Sequence, residues 1–227
     1  FWIAADRTGT FLEAMIGESD HSNYELASST LALSTTTVLY IKGDEIASST
    51  SIKDSSFSGK AITANGNART SGTGKIGNSV YFDGTGDYLS IPDNTDFEFG
   101  SGNFSIDTWI KLNDITNEQY FMGYWSNSTV ADRQFGLRLA TGGILLGFNM
   151  ASDGVGGLLI NETYPWSPNL GVWYHIAVVR NGSVVNVFIN GVQVGSTAVS
   201  GSMYSGSTQA TRIGGDFVDS PRPLNGY

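Results

Sequence analysis

The sequence predicts an all-β fold, an antiparallel sandwich of short strands joined by tight turns, on three observations. The 227 residues include 29 glycines, and only 15% are charged, against roughly 25% in a typical domain, which disfavours long solvent-exposed helices. Asn181-Gly182 and Asn190-Gly191 each separate two apolar runs, the strongest short-range signal for a hairpin. Residues 104–112 alternate apolar and polar side chains, the period of a strand with one buried face.

The other strands follow from short apolar runs that are closed by turn residues. Residues 80–82 and 88–92 flank a Gly/Asp turn, and residues 135–139 and 144–150 flank Thr141-Gly142-Gly143, so each pair predicts a hairpin. In chain order the predicted strands are 38–41, 60–64, 80–82, 88–92, 104–112, 135–139, 144–150, 173–180, 184–189, 192–194 and 212–214. Turns about every 8–12 residues favour a sandwich.

The first 36 residues differ in pattern from the rest of the chain. Two short apolar segments, 1–4 and 10–16, are followed by a Ser/Thr-rich stretch at 28–37. We interpret residues 1–36 as an arm or the end of a preceding module, and as a predicted anchor to a larger assembly. Residues 37–227 are predicted to form one sandwich domain, a length within the ordinary range for such folds.

Charge and composition exclude several classes of function. The net charge of −9 repels phosphate backbones, so nucleic-acid binding is not expected. Cysteine is absent and histidine occurs only at His21 and His175, which disfavours thiolate chemistry and zinc sites. No apolar stretch approaches the roughly 18–20 residues that cross a bilayer, so membrane insertion is not expected either.

Five motifs occur in the order seen in laminin-G-like domains, and the chain resembles that family over roughly residues 37–227. The motifs lie at residues 81–92, 104–110, 173–180, 188–195 and 212–215. Laminin-G-like domains belong to the concanavalin A-like lectin/glucanase superfamily, which also includes pentraxins. The version most similar to this chain is common in bacteriophage tail and other virion proteins and in bacterial surface proteins.

The resemblance implies a jelly-roll sandwich of two curved antiparallel sheets. Family members usually have one more strand after the segment that matches residues 224–227, so we expect this strand to be missing or replaced by a neighbouring chain. The resemblance also implies a location on a virion surface or outside the cell, in a homo-oligomer or a larger assembly. The expected partners are a cell-surface polysaccharide or glycoprotein, and other virion or fibre subunits that contact residues 1–36.

The glucanase members of the superfamily carry closely spaced carboxylates on one strand face, and no such triplet is found here. Asp96 and Glu98 come closest, but they alternate with Phe97 and Phe99 in a predicted loop. His175 lies on a predicted core strand, where a structural role is favoured. We therefore predict a protein that is not an enzyme, with a glycoside hydrolase as the least favoured alternative.

Two candidate sites remain for a binding function. Tyr124, Trp125, Asn127 and Trp166 combine aromatic rings with polar neighbours in predicted rim loops, which suits glycan stacking. The alternative is that these rings plug the ends of the sandwich. The resemblance to calcium-binding relatives makes Asp83, Asp87 and Asp132 candidate calcium ligands, and the alternative is that aspartate is simply a turn former here.

The favoured function is a non-catalytic, lectin-like module that is displayed on a virion or tail structure and binds a cell-surface glycan. The alternative is a purely structural virion protein, a capsid decoration or fibre component, whose sandwich only packs against its neighbours.

Overall fold

The computed structural model describes residues 3–6, 35–125, 133–153, 156–216 and 222–227. Within these ranges the strands are β1 (Ile3–Asp6), β2 (Thr37–Ile41), β3 (Thr63–Asn65), β4 (Arg69–Ser71), β5 (Ser79–Asp83), β6 (Tyr88–Ile91), β7 (Phe104–Lys111), β8 (Gln119–Tyr124), β9 (Phe135–Leu139), β10 (Leu145–Ala151), β11 (Leu158–Pro165), β12 (Trp173–Asn181), β13 (Val184–Ile189), β14 (Val192–Ala198), β15 (Thr211–Ile213) and β16 (Asn225–Gly226). A short 3-10 helix occupies Thr95–Phe97. No helix in the described ranges is long and apolar enough to cross a membrane.

Two large antiparallel sheets stack to form the predicted sandwich. One sheet has the strand order β14-β13-β12-β7-β1-β2, and the other has the order β11-β10-β9-β8-β15-β6-β3. A third, small sheet has the order β16-β5-β4. The prediction of an all-β antiparallel jelly roll is confirmed.

The alternation in β7 places one face in the core, as predicted. Phe104, Ile106, Thr108, Ile110 and Leu112 are fully buried, while the side chains at positions 105, 107, 109 and 111 are half-buried. From the facing sheet, fully buried aromatic rings complete the core: Phe121, Phe135 and Phe148. Burying each large apolar side chain contributes about 1.5–3 kcal/mol, so this two-layer core is the main stabilising feature of the fold.

The Asn-Gly hairpin between β13 and β14 is also confirmed. Ile189 pairs with Val192, and the two turn residues between them have positive φ, 50° at Asn190 and 78° at Gly191. Positive φ at both central positions defines the type I′ turn, whose twist matches that of the flanking strands.

Part of the predicted N-terminal arm, β1, is a strand within one sheet of the sandwich. β1 pairs with β2 on one side and with β7 on the other, through Ile3 opposite Ile41 and Ile3 opposite Thr108. The strand predicted at 1–4 is therefore found at 3–6. The segment predicted at 10–16 lies outside the described residues, and the anchor role of residues 1–36 stays a prediction.

The C-terminal segment pairs with β5 on one side and with the residues at the end of β7 on the other. Asn225 pairs with Asp83 of β5, while Lys111 and Tyr227 exchange two backbone hydrogen bonds of 2.9 Å each. β16 therefore continues the β14-β13-β12-β7 sheet toward β5 and β4. The additional strand expected after residue 227 stays a prediction.

Candidate functional site

A polar groove of about 540 Å3 opens at one rim of the sandwich, where three segments meet. Its volume is within the range of about 300–1,000 Å3 typical of small-molecule sites. The lining comprises the turn Gly84–Gly86, the side chains Asp114, Asn117, Glu118 and Gln119 from the β7–β8 connection, and Arg222, Pro223 and Asn225 from the C-terminal segment. We call this feature the rim groove.

Gln119 holds two walls of the rim groove together. Its side-chain Nε2 donates to the Asp114 carbonyl at 2.7 Å, and its Oε1 accepts from the Asn225 backbone N–H at 2.8 Å. Gln119 is 2% exposed, so these bonds form away from competing water. The β7–β8 connection and the C-terminal segment are thereby fixed relative to each other.

An ion-pair network lies at the base of the rim groove. Glu118 accepts from Arg222 Nη1 at 2.9 Å, and its other oxygen lies 2.7 Å from Arg138 Nε. The Asp216 side chain is fully buried and accepts from the backbone N–H and Nε of Arg222, at 3.0 and 2.6 Å, and also from Nη2. Burial raises the pKa of Asp216, and the Arg222 donors oppose this shift. The negative charges of the two carboxylates equal the positive charges of the two guanidinium groups. The network therefore holds Arg222 in place without a net charge.

The ring of Tyr120 lies beneath both guanidinium groups. Arg222 Cζ is 4.4 Å and Arg138 Cζ is 5.9 Å from the ring centroid, distances at which a cation is attracted to an aromatic face. Tyr120 is 1% exposed. Burial raises the pKa of its hydroxyl to about 12.

This pKa predicts a loss of stability in alkaline solution. The folded value lies above the unfolded value, near 10, so the unfolded chain releases the tyrosine proton first as the pH rises. The stabilisation that comes from burying the neutral Tyr120 is fully present below about pH 10 and is lost between pH 10 and 12. Over this interval we expect the free energy of unfolding to fall by about 2–3 kcal/mol. Urea unfolding between pH 9 and 11.5 measures this loss. Tyr120→Phe should make the decline shallower, and an unchanged slope would contradict the role of Tyr120.

The aromatic residues predicted to stack on a glycan are buried. Tyr124 is 1%, Trp125 is 5% and Trp166 is 6% exposed. The expectation that their rings are exposed at the rim is therefore wrong, and the alternative, that they plug the sandwich, describes these three side chains. Asn127 lies outside the described residues.

Each buried ring has a defined packing role. The Tyr124 hydroxyl accepts from the Gln209 backbone N–H at 2.8 Å. Trp125 packs with Tyr120 and Ala151 in a small buried cluster that is separate from the main core. Trp166 meets Phe121 and Tyr174 edge-on, with ring centroids 6.2 and 5.4 Å apart. Assignment of a glycan site to these side chains stays a prediction that their burial does not support.

The predicted calcium ligands Asp83 and Asp87 organise a turn. Asp87 is 1% exposed, and its two oxygens accept from the backbone N–H groups of Asn67 and Asp83 at 2.7 and 2.9 Å. Asp83 accepts from Thr85 N and Asn67 Nδ2 at 2.7 and 2.8 Å. All four carboxylate oxygens therefore accept a hydrogen bond from an N–H group, which accounts for both aspartates as turn-forming residues.

The third predicted ligand, Asp132, lies outside the described residues. Among the described residues, no three His, Cys, Asp or Glu side chains come close enough to hold a metal ion. Calcium binding stays a prediction.

Two of the side chains considered for catalysis, Asp96 and His175, each contact another titratable side chain. Asp96 lies 2.6 Å from Lys60 Nζ, and Phe97 and Phe99, which alternate with Asp96 and Glu98, are buried in the core. His175 Nε2 is 3.4 Å from Asp107 Oδ1, and its ring lies 5.3 Å from that of Trp109. The His175 backbone N–H also donates to Asn190 Oδ1 at 2.8 Å, which ties this strand to the β13–β14 turn.

No motif or spacing in the sequence indicated the rim groove. Glu118 and Arg222 are 104 positions apart, and Asp216 and Arg222 are separated by six. No short-range spacing connects Glu118 with Asp216 and Arg222, because only the return of the C-terminal segment past the start of β8 brings them together.

A family model described as the Concanavalin A-like lectin/glucanases superfamily matches residues 83–227. This match covers more than half of the chain. No curated protein sequence matched the chain.

Three solved structures illustrate the likeness of the fold. Domain 4 of the extracellular GH43 arabinanase AbnA from Geobacillus stearothermophilus, in complex with arabinotriose, is 21% identical, with a TM-score of 0.55 over 78% of this chain and 82% of that chain. The binding domain of Paraclostridial Mosquitocidal Protein 1 is 15% identical, with a TM-score of 0.59 over 82% and 46%. The binding domain of botulinum neurotoxin serotype D is 13% identical, with a TM-score of 0.53 over 84% and 47%. This chain thus spans less than half of each of the latter two chains, and identities this low establish a shared fold only.

Proposed function

Because the chain belongs to the concanavalin A-like lectin/glucanases superfamily, we propose that it is a non-catalytic carbohydrate-binding module whose ligand lies in the rim groove. The observation that carries the proposal is the groove itself: polar side chains line it, and hydrogen bonds and ion pairs hold its walls in place. Walls fixed before binding lower the ordering cost that a ligand must overcome.

The chemistry of the lining suits a neutral oligosaccharide. Asp114 and Asn117 supply carboxylate and amide groups that can bond to sugar hydroxyls, while Glu118 and Arg222 neutralise each other at the base. The arabinanase domain that shares this fold was crystallised with arabinotriose, which supports an oligosaccharide as the class of ligand.

The engagement of the acidic residues supports a binding role without catalysis. A retaining glycosidase needs one carboxylate free to attack and a second able to exchange a proton, about 5–5.5 Å apart. Beneath the rim groove, Asp216 is buried against Arg222, and Glu118 contacts two arginines. Neither Asp216 nor Glu118 is available for proton transfer unless these ion pairs break. Asp114, the other carboxylate of the lining, accepts from the backbone N–H and the hydroxyl of Thr116.

Asn117→Ala tests the proposal. We expect it to weaken binding of a groove-bound oligosaccharide about fivefold to tenfold, because a neutral hydrogen bond contributes about 1 kcal/mol. The wild-type chain is first screened on a glycan array that includes arabino-oligosaccharides, and isothermal titration calorimetry then measures the affinity for the best ligand. Gln193→Ala, an exposed polar position on β14, is the matched control and should bind normally.

Two results would contradict the proposal. One is the absence of any neutral glycan ligand on the array, which would favour the purely structural alternative. The other is an equal affinity for wild type and Asn117→Ala. Display on a virion or cell surface, and assembly through residues 1–36, stay predictions from the family resemblance.

A further inference from the structure

Five side chains form a row across the outer face of the extended sheet. Arg69 pairs with Tyr81, and the register of Asn225 opposite Asp83 places Tyr227 opposite Tyr81. Tyr227 and Lys111 exchange two backbone hydrogen bonds, and Lys111 pairs with Trp173. The cross-strand row is thus Arg69, Tyr81, Tyr227, Lys111 and Trp173. It crosses β4, β5, the β16 segment, β7 and β12, and neighbouring strands are about 4.8 Å apart, so the row is about 19 Å long.

Cations and aromatic rings are in contact along the row. Arg69 Cζ lies 5.0 Å from the Tyr81 ring centroid, and the Tyr81 and Tyr227 centroids are 5.1 Å apart. Lys111 Nζ is 3.9 Å from the centroid of Tyr227 and 5.1 Å from that of Trp173. All five side chains are half-buried. Each therefore keeps part of its surface in contact with solvent.

The two cations of the row have no acidic partner. Within the described residues, neither Arg69 nor Lys111 forms an ion pair, whereas Lys60, Arg138 and Arg222 each contact a carboxylate. Asp83, two residues along β5 from Tyr81, accepts hydrogen bonds from Thr85 N and Asn67 Nδ2 and forms no ion pair with Arg69. On a chain of net charge −9, these are two cations on one face that an anionic ligand can reach without first breaking an ion pair.

We propose that the cross-strand row binds a polymer of uronic acid sugars. Aromatic faces accept the C–H face of a sugar ring, and an ammonium or guanidinium group on the solvent side donates to a carboxylate. Arg69 and Lys111 are three strand spacings apart, about 14 Å, so a ligand with repeating carboxylates meets both while a single acidic sugar meets one. No residue of the row lines the rim groove, so this site does not depend on the function proposed for the groove.

Titration calorimetry with oligogalacturonate tests the proposal on the full chain. We expect wild type to bind this probe at 50 mM salt and to lose affinity steeply at 500 mM salt, because exposed charges are screened. Lys111→Met should weaken binding about tenfold or more, since a hydrogen bond to a charged group is lost while the aliphatic contact with Tyr227 remains. Arg69→Gln is a second variant, at the opposite end of the row, and should weaken binding in the same way.

Lys53→Met is the matched control, because it removes the same charge from an exposed position outside the row. It should bind oligogalacturonate like wild type. Failure of wild type to bind the probe would overturn the proposal, and so would equal losses in Lys53→Met and Lys111→Met, which would indicate non-specific attraction. Asn117→Ala should leave oligogalacturonate binding intact. The experiments therefore distinguish a failure of the oligosaccharide site proposed in the rim groove from a failure of the uronic acid site proposed on the cross-strand row.

Discussion

Replacing Asp216 with alanine should lower the free energy of unfolding by about 3–5 kcal/mol, the cost of removing one partner from a buried ion pair. The Asp216 side chain is fully buried and accepts hydrogen bonds from the backbone N–H, Nε and Nη2 of Arg222. Without it, the guanidinium keeps only the Glu118 contact at 2.9 Å and remains desolvated above Tyr120. Urea unfolding of wild type and variant at neutral pH measures the difference.

A double variant separates the lost charge partner from lost packing. Adding Arg222→Met to Asp216→Ala removes the unpaired guanidinium, so the double variant should be more stable than Asp216→Ala alone. Asp93→Ala, which removes an exposed carboxylate, should leave the stability nearly unchanged. A loss below about 1 kcal/mol for Asp216→Ala would show that the network contributes little to the fold.

The same substitution should disturb the rim groove. The Arg222 carbonyl accepts from the Tyr120 backbone N–H at 3.0 Å, and the adjoining Asn225 N–H is held by Gln119. The position of the C-terminal wall therefore depends on the segment that Asp216 anchors. Stability and the shape of the candidate ligand site are coupled through one buried carboxylate.

Several strands that the sequence predicted have either a one-sided pattern or a glycine-rich turn beside them. β7 alternates because one of its faces meets the core and the other meets solvent, and the turn at Asn190 needs positive φ, which leaves a signature in residue type. β8 was missed because all six of its residues are buried, so no alternation marks it, and no glycine-rich turn adjoins it like the one that identified β9 and β10. β16 was missed because two residues carry no periodic signal.

The candidate sites were harder to predict for a different physical reason. An aromatic ring beside polar residues has the same sequence signature whether it faces solvent, as expected for Trp125 and Trp166, or fills the end of a sandwich, as observed. Tyr81 and Trp173 lie within motifs that the sequence analysis identified, but their alignment with Lys111 follows from strand register, which one sequence does not encode locally.

Gly214→Ala should destabilise the protein more than Gly191→Ala, by about 1–3 kcal/mol, the usual cost of overpacking a core. Both glycines have positive φ, 82° and 78°, so each substitution includes the cost of about 1–2 kcal/mol for a left-handed alanine. At Gly191 a new Cβ meets no atom within 4 Å, but at Gly214 it would lie 2.5 Å from the fully buried ring of Phe82. Gly214 also accepts from the Leu224 N–H at 2.9 Å, so a shift of this backbone would move the C-terminal wall of the rim groove. Thermal and urea unfolding of the two variants measure the difference, and equal losses would mean that the Phe82 ring can move aside.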